Sequence, residues 1–246
     1  MKISVIIAAA GSASRFISSK ESLPGPFSKQ FVLLNGKSLL FYSLEKFLNL
    51  TNVIEIIIVT NDMDSTNKLL EKLNYSGNIK IKVIEGDKLR QDSVYNGFCK
   101  VDNSSNLVII HDVARPLFKI DDLKKCVETA LVYGAAILGV PVVDTIKLAK
   151  SDKDRLLVKN TLDRTNLFLV QTPQVFSYGL LSRVYKTFRS SNSKQAVTDE
   201  ASMIEILGEP VNLILGDRKN IKITYPEDLD IAQAIIDKSF SLSGTI

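Results

Sequence analysis

The stretch Ile3-Ser-Val-Ile-Ile-Ala-Ala-Ala-Gly-Ser-Ala-Ser-Arg-Phe16 is an apolar run that passes directly into a loop of small residues. An apolar run of this length, with no polar face, reads as a central strand buried on both sides of a parallel sheet. A small-residue loop straight after such a strand lets backbone N–H groups approach an anion closely. It does so at the carboxyl edge of the sheet, where α/β proteins bind ligands. The loop is not a dinucleotide fingerprint, since only Gly11 stands where three glycines are needed, and it lacks the G-K-[ST] ending of a P-loop. Taken alone it is either a phosphate cradle or a tight turn. Arg15, a guanidinium just past the loop, favours the cradle because it can brace phosphate oxygens. Lys29, in Phe27-Ser-Lys-Gln-Phe31, is a second candidate cation.

Outward from this strand the pattern repeats. Apolar, β-branched runs at 53–59, 79–84, 107–110 and 135–140 alternate with amphipathic stretches at 38–48, 65–73, 92–101 and 121–133. Such alternation predicts a mostly parallel sheet with helices on both faces. The alternation breaks after Pro141, where a charged turn at 150–155 lies between extended runs, and 142–170 reads as a β-arm. A two-stranded arm cannot bury both faces alone, so it is expected to pack on a second subunit; the alternative is an arm folded back on its own domain. The core then resumes with helices at 177–188, 199–207 and 227–238 and extended segments at 211–215 and 221–224. Thr224 and Glu227 have capping-box spacing, with Pro226 in the first turn. No linker divides the chain, so residues 1–246 are expected to form one domain.

Composition limits the function. The 246 residues are 45% hydrophobic and 24% charged, an ordinary globular balance, and the net charge of +4 suits a small anionic substrate rather than nucleic acid. Cys99 and Cys126 have neither metal nor disulfide spacing, which fits a cytoplasmic location. Residues 3–10 do not read as a secretory signal, because only Lys2 precedes them as a basic residue and Gly11 interrupts them. No run is long enough for a membrane helix.

Four apolar residues in Leu107-Val-Ile-Ile-His-Asp-Val-Ala-Arg-Pro116 deliver His111, Asp112 and Arg115 to a strand end. A carboxylate there, facing a phosphate loop, is placed to hold Mg²⁺, which binds through few carboxylates plus phosphate oxygens. Arg115 could take a second phosphate; the alternative is an N-cap aspartate with a salt-bridged arginine. His111, the only histidine, reads as a core imidazole. Ser93, in Arg90-Gln-Asp-Ser-Val-Tyr-Asn-Gly97, can serve a ligand or cap a helix. Asp62-Met-Asp64 has the form of a D-x-D metal motif but sits in a polar turn, where two aspartates need no such role.

In order, AAAGSASRF, SKQF, RQDSVYNG, HDVARP, VPVVDTIK, DR, QTPQVF, TDEASMIE and NIKITYPEDL closely resemble the 2-C-methyl-D-erythritol 4-phosphate cytidylyltransferases, from Ile3 to about Ala234. The resemblance implies a Rossmann-like α/β homodimer of the nucleotide-diphospho-sugar transferase type, with a projecting β-arm. Such an enzyme joins CTP to the polyol phosphate with Mg²⁺ and releases pyrophosphate. By position, Ala8, Ala9, Ala10, Gly11, Ser93 and Val113 would line the CTP site. Arg15 and Lys29 would stabilise the transition state at the α-phosphate, and Asp112 would bind the metal. Arg164 and Lys222 would position the sugar phosphate, with Arg115, Thr145 and Thr198 completing its pocket. In the family, the arm and the threonine segment reach the partner's site.

The chain departs from the family pattern in four places. Ser28 replaces a proline before Lys29, Asp87 replaces the second of two glycines, Val113 stands where alanine is common, and the loop between Arg15 and Lys29 is long. A ribitol 5-phosphate cytidylyltransferase on the same scaffold is the nearest alternative. A non-catalytic nucleotide-binding regulatory domain is the alternative from another class, and the missing glycines count against a dinucleotide-dependent oxidoreductase.

Overall fold

The computed structural model describes residues 1–11, 16, 28–190 and 197–243, with side chains described through 238. Eleven strands among these residues build one main sheet and two small hairpins. The main sheet has seven strands in the order β11-β7-β10-β6-β1-β4-β5. These are β1 (Ile3–Ala9), β4 (Val53–Thr60), β5 (Lys80–Glu85), β6 (Leu107–Asp112), β7 (Ala135–Pro141), β10 (Phe168–Ser177) and β11 (Asn212–Leu215). All neighbours are parallel except β10, which runs antiparallel to both β6 and β7.

Strand β1 shows why the sheet takes two layers of helix. Its Ile3, Val5 and Ile7 face a core made with Leu40, Leu44 and Phe47 of α1 (Leu39–Leu48). After α2 (Met63–Leu73) and α3 (Arg90–Phe98), α4 (Ile120–Tyr133) adds Leu123, Cys126 and Ala130 to that same face. Ile6 faces the other way, against Val94 and Phe98 of α3. Leu181 and Val184 of α5 (Tyr178–Ser190), with Met203 and Ile204 of α6 (Glu200–Ile206), complete that layer. A third cluster sets Phe16 and Leu34 against Ala232 and Ile236 of α7 (Glu227–Ser243). Phe16 thus anchors the chain just beyond the small-residue loop.

Within 142–170 the structure has a hairpin of β8 (Lys147–Asp152) and β9 (Arg155–Thr161), paired with each other and not with the main sheet. Phe168 pairs with Pro141 of β7, and residues 174–177 pair with β6 as well. Two expectations change. Residues 221–224 are not a strand; Ile223 is held on both sides, its N–H donating to Ala114 O at 2.8 Å and its O accepting from Lys29 Nζ at 2.8 Å. The start of α7 has no Thr224–Glu227 box. Instead the Asp228 carboxylate accepts from the N–H groups of Thr224 (2.7 Å) and Tyr225 (2.8 Å).

Candidate active site

From β1 the chain moves to β4 and β5 on one side and then returns to β6 on the other. The strand order therefore reverses between β1 and β6, and ligands bind at the carboxyl ends of strands at such a point. A cavity of about 250 Å³ lies there. Ala8, Ala9, Ala10, Gly11, Ser93, Asp112, Val113, Lys29 and Lys222 all line it. The register sets Ala8 beside Asp112, and the Val113 N–H donates to Ala8 O at 3.1 Å. The loop after β5 closes on the same place. A Cβ at Gly86 would stand 2.1 Å from the Ala10 Cβ, so only glycine fits. Asp87, in place of a second glycine, turns one carboxylate oxygen back onto the Lys88 N–H at 2.6 Å. The Ser93 hydroxyl accepts from the Asp87 N–H at 2.8 Å, so it shapes this turn and does not cap α3.

Asp112 sits at the centre of the charges. Arg90 Nε donates to one of its oxygens at 2.9 Å and Lys222 Nζ to the other at 2.7 Å. Burial alone would push this carboxyl up, but the two cations outweigh it and hold it well below the usual carboxylate range. Arg90 also reaches Glu200 with Nη1 at 3.1 Å. Arg90 and Glu200 were not singled out by sequence reasoning: an arginine opening a helix is ordinary, and its two carboxylates lie 22 and 110 residues away.

Lys29 is fixed from two sides. Its Nζ donates to Ile223 O at 2.8 Å, beside Lys222. Ser28 Oγ donates to Asp62 at 2.9 Å, and the same carboxylate caps α2 through the Ser65 N–H at 3.1 Å. Asp62 is thus a helix cap that braces the lysine turn, not half of a metal motif.

Strand β10 organises the rear of the site through the QTPQVF motif. Gln171 exchanges bonds with Asn220, whose Nδ2 also donates to Thr172 O at 3.0 Å. The Thr172 hydroxyl accepts from the Asp112 N–H at 3.0 Å. Gln174 Nε2 donates to Asp199 at 2.7 Å, the N-cap of α6 and part of a capping box with Ser202. His111 is a core residue, with its two ring nitrogens 3.2 Å from the Ser43 and Thr172 hydroxyls. Burial pushes it down to about 3, so it is neutral at pH 7.

Arg115 is not among the described residues that line the cavity; its Nη1 donates to Asn220 O at 2.8 Å and Nη2 to Val170 O at 3.1 Å. Both carbonyls belong to segments that must pack together, so this guanidinium ties β10 to the loop before Lys222. Arg164, Thr145 and Thr198 are also absent from this chain's cavity lining. All three are exposed, and Arg164 Nη1 donates to Val143 O at the root of the arm. Arg15 lies outside the described residues.

Among the described residues four cations, Lys29, Lys88, Arg90 and Lys222, line the cavity against two carboxylates, Asp87 and Asp112. An α/β sheet with a small-residue loop and excess positive charge at its switch point is the arrangement of a protein that binds phosphate-bearing ligands there, and the relatives give the class, a nucleotidyltransferase of the nucleotide-diphospho-sugar transferase type. The model of the family described as IspD, 2-C-methyl-D-erythritol 4-phosphate cytidylyltransferase, matches residues 3–238. The chain belongs to that family. The 2-C-methyl-D-erythritol 4-phosphate cytidylyltransferase of Clostridium botulinum (strain Langeland / NCTC 10281 / Type F) is 39% identical over 239 residues, 96% of this chain and 98% of the relative. The crystal structure of 4-diphosphocytidyl-2C-methyl-D-erythritol synthase from Anaerococcus prevotii DSM 20548 is similar with a TM-score of 0.79 at 30% identity, covering 96% of both chains. That of the Francisella tularensis cytidylyltransferase gives 0.75 at 33% identity, covering 94% of this chain and 98% of the other. Among the described residues no helix is long and apolar enough to cross a membrane.

Proposed function

We propose that this chain joins CTP and 2-C-methyl-D-erythritol 4-phosphate into 4-diphosphocytidyl-2-C-methyl-D-erythritol and pyrophosphate. The observation that carries this reading is the cation-rich cavity at the carboxyl ends of β1 and β6, in a chain of this family. An oxygen of the polyol phosphate attacks the α-phosphorus of CTP in line, one P–O bond forms, and the bond to pyrophosphate breaks. A phosphate is already an oxyanion at neutral pH, so no strong general base is required. Catalysis becomes the task of bringing two anions together and neutralising growing charge. Arg15 and Lys29 would carry that task at the α-phosphate, with the loop 8–11, Ser93 and Val113 around the nucleotide. Lys222 would position the incoming phosphate.

The donors suit Mg²⁺ brought in with the triphosphate. No cluster of three acidic, histidine or cysteine ligands exists among the described residues, so there is no all-protein cage. Mg²⁺ needs only one or two carboxylates with phosphate oxygens, and Asp112 keeps lone pairs beyond those used by Arg90 and Lys222. When bound, the ion supplies charge neutralisation at the phosphates.

The arm would complete a partner's cavity in a homodimer. Leu156 and Val158 on β9 are 77% and 62% exposed, and a two-stranded hairpin does not bury such side chains alone. Arg164 and Thr145 at its root would then reach the partner's polyol phosphate, as would Thr198. The free cysteines, Cys99 and Cys126, suit a cytoplasmic location. Pyrophosphate release measured with CTP, UTP and ATP, each against methylerythritol phosphate and ribitol 5-phosphate, tests the assignment. CTP with methylerythritol phosphate should be strongly preferred; preference for ribitol 5-phosphate or for another nucleotide would overturn it.

A further inference from the structure

Glu200 is a fully buried carboxylate with no place in the cavity lining. Burial pushes its carboxyl up, and the cation that meets it is Arg90, Nη1 to Oε2 at 3.1 Å. The Tyr185 hydroxyl stands 3.4 Å from its other oxygen. Arg90 opens α3, lines the cavity and gives its Nε to Asp112. Its planar fork thus spans two carboxylates, one behind the site and one in it, which a single ammonium could not do. Glu200 also opens α6, next to Asp199, which Gln174 holds, and two residues after Thr198.

We propose that Glu200 and Arg90 are positioning residues, a buried strut that sets the Asp112 carboxylate in the cavity and locks the start of α6 to it. The strut acts on whatever Asp112 serves, and it rests on the reading of the cavity as a Mg²⁺–nucleotide site. Glu200 never touches a substrate; it acts through Arg90. The two ends of the strut belong to the segments assigned to the nucleotide (Arg90 to Ser93) and to the polyol phosphate (Thr198). Its loss should therefore be felt by both.

The variants Arg90→Met, Glu200→Gln and the double variant test this through the melting temperature, CTP affinity by calorimetry with Mg²⁺, and kcat. Arg90→Met leaves Glu200 buried without its cation and should lower the melting temperature, which Glu200→Gln in the double variant should restore. Affinity and kcat should stay down about 10–100-fold in the double variant, as when outer partners of a ligating carboxylate are lost. The double variant should be no worse than Arg90→Met, because Glu200 works through that arginine. If affinity and kcat return with the melting temperature, or if Glu200→Gln alone matches the wild type, the strut is only structural and the proposal fails. Should Arg90→Met not fold, Glu200→Gln and the double variant still decide. Absence of turnover in the wild type would count against the reaction assigned above, while calorimetry would still judge the strut.

Discussion

Lys29 reaches the cavity from a single 3₁₀ turn whose two flanks are pinned, by Ser28 to Asp62 and by Lys29 itself to Ile223. The proline missing at position 28 is thus replaced by a hydrogen bond. Lys29→Ala should keep the fold and lose about 2.7–4 kcal/mol of transition-state stabilisation, by analogy with an oxyanion donor; near-normal kcat would remove Lys29 from the chemistry. Arg115 leads to the opposite expectation. Its lost bonds to Asn220 and Val170 should cost about 1.5–3 kcal/mol of stability in Arg115→Met, read by denaturant unfolding. If instead stability holds and the KM for the polyol phosphate rises alone, Arg115 faces substrate after all. In sequence Lys29 and Lys222 were expected at the site through the family resemblance, and Asp112 was legible as a carboxylate at the end of an apolar strand; all three line the cavity. The direction of Arg115 was not legible, since its acceptors come from residues 55 and 105 positions away.

At the scale of elements, β1 and β6 were readable from their unbroken apolar runs, and the cavity follows from where they end. Strand β10 was harder to read. Its first residues are exposed while 171–176 are buried, so its pattern joins smoothly onto the arm that precedes it. What separates the two is pairing with β6 and β7, a long-range fact. The short hairpin of β2 (Leu33–Leu34) and β3 (Lys37–Ser38) carried a local signal, Asn35-Gly36, with φ of 48° and 76°. Residues 221–224 look extended because they alternate, but a tether to Ala114 and Lys29 replaces sheet pairing. The arm makes a sharper prediction. If it completes a partner's site, mixing inactive Lys29→Ala with inactive Arg164→Ala subunits should restore part of the turnover. No recovery after subunit exchange would mean that Arg164 serves its own chain's site or none.

At the scale of the whole molecule the main sheet lies between two helical layers, and alkaline stability should report how tightly they close. Burial pushes the Cys126 thiol up to about 12, whereas in an unfolded chain it ionises near ~8.5. Between those values the unfolded chain binds fewer protons than the folded one, so stability falls as pH rises. The slope is at most about 1.4 kcal/mol per pH unit. Urea unfolding of Cys126→Ala should lack this contribution; an unchanged slope would show that the thiol is not sealed. The central claim, however, is chemical. Nucleotide loop, cations and Asp112 converge on one reaction, and its products distinguish it from hydrolysis and from passive binding. The decisive measurement is the mass-resolved product balance when the protein is given CTP, 2-C-methyl-D-erythritol 4-phosphate and Mg²⁺. One diphosphocytidyl-methylerythritol should appear for each pyrophosphate released, with no CMP or CDP; cytidine leaving as either of those, or CTP remaining intact, would contradict the account.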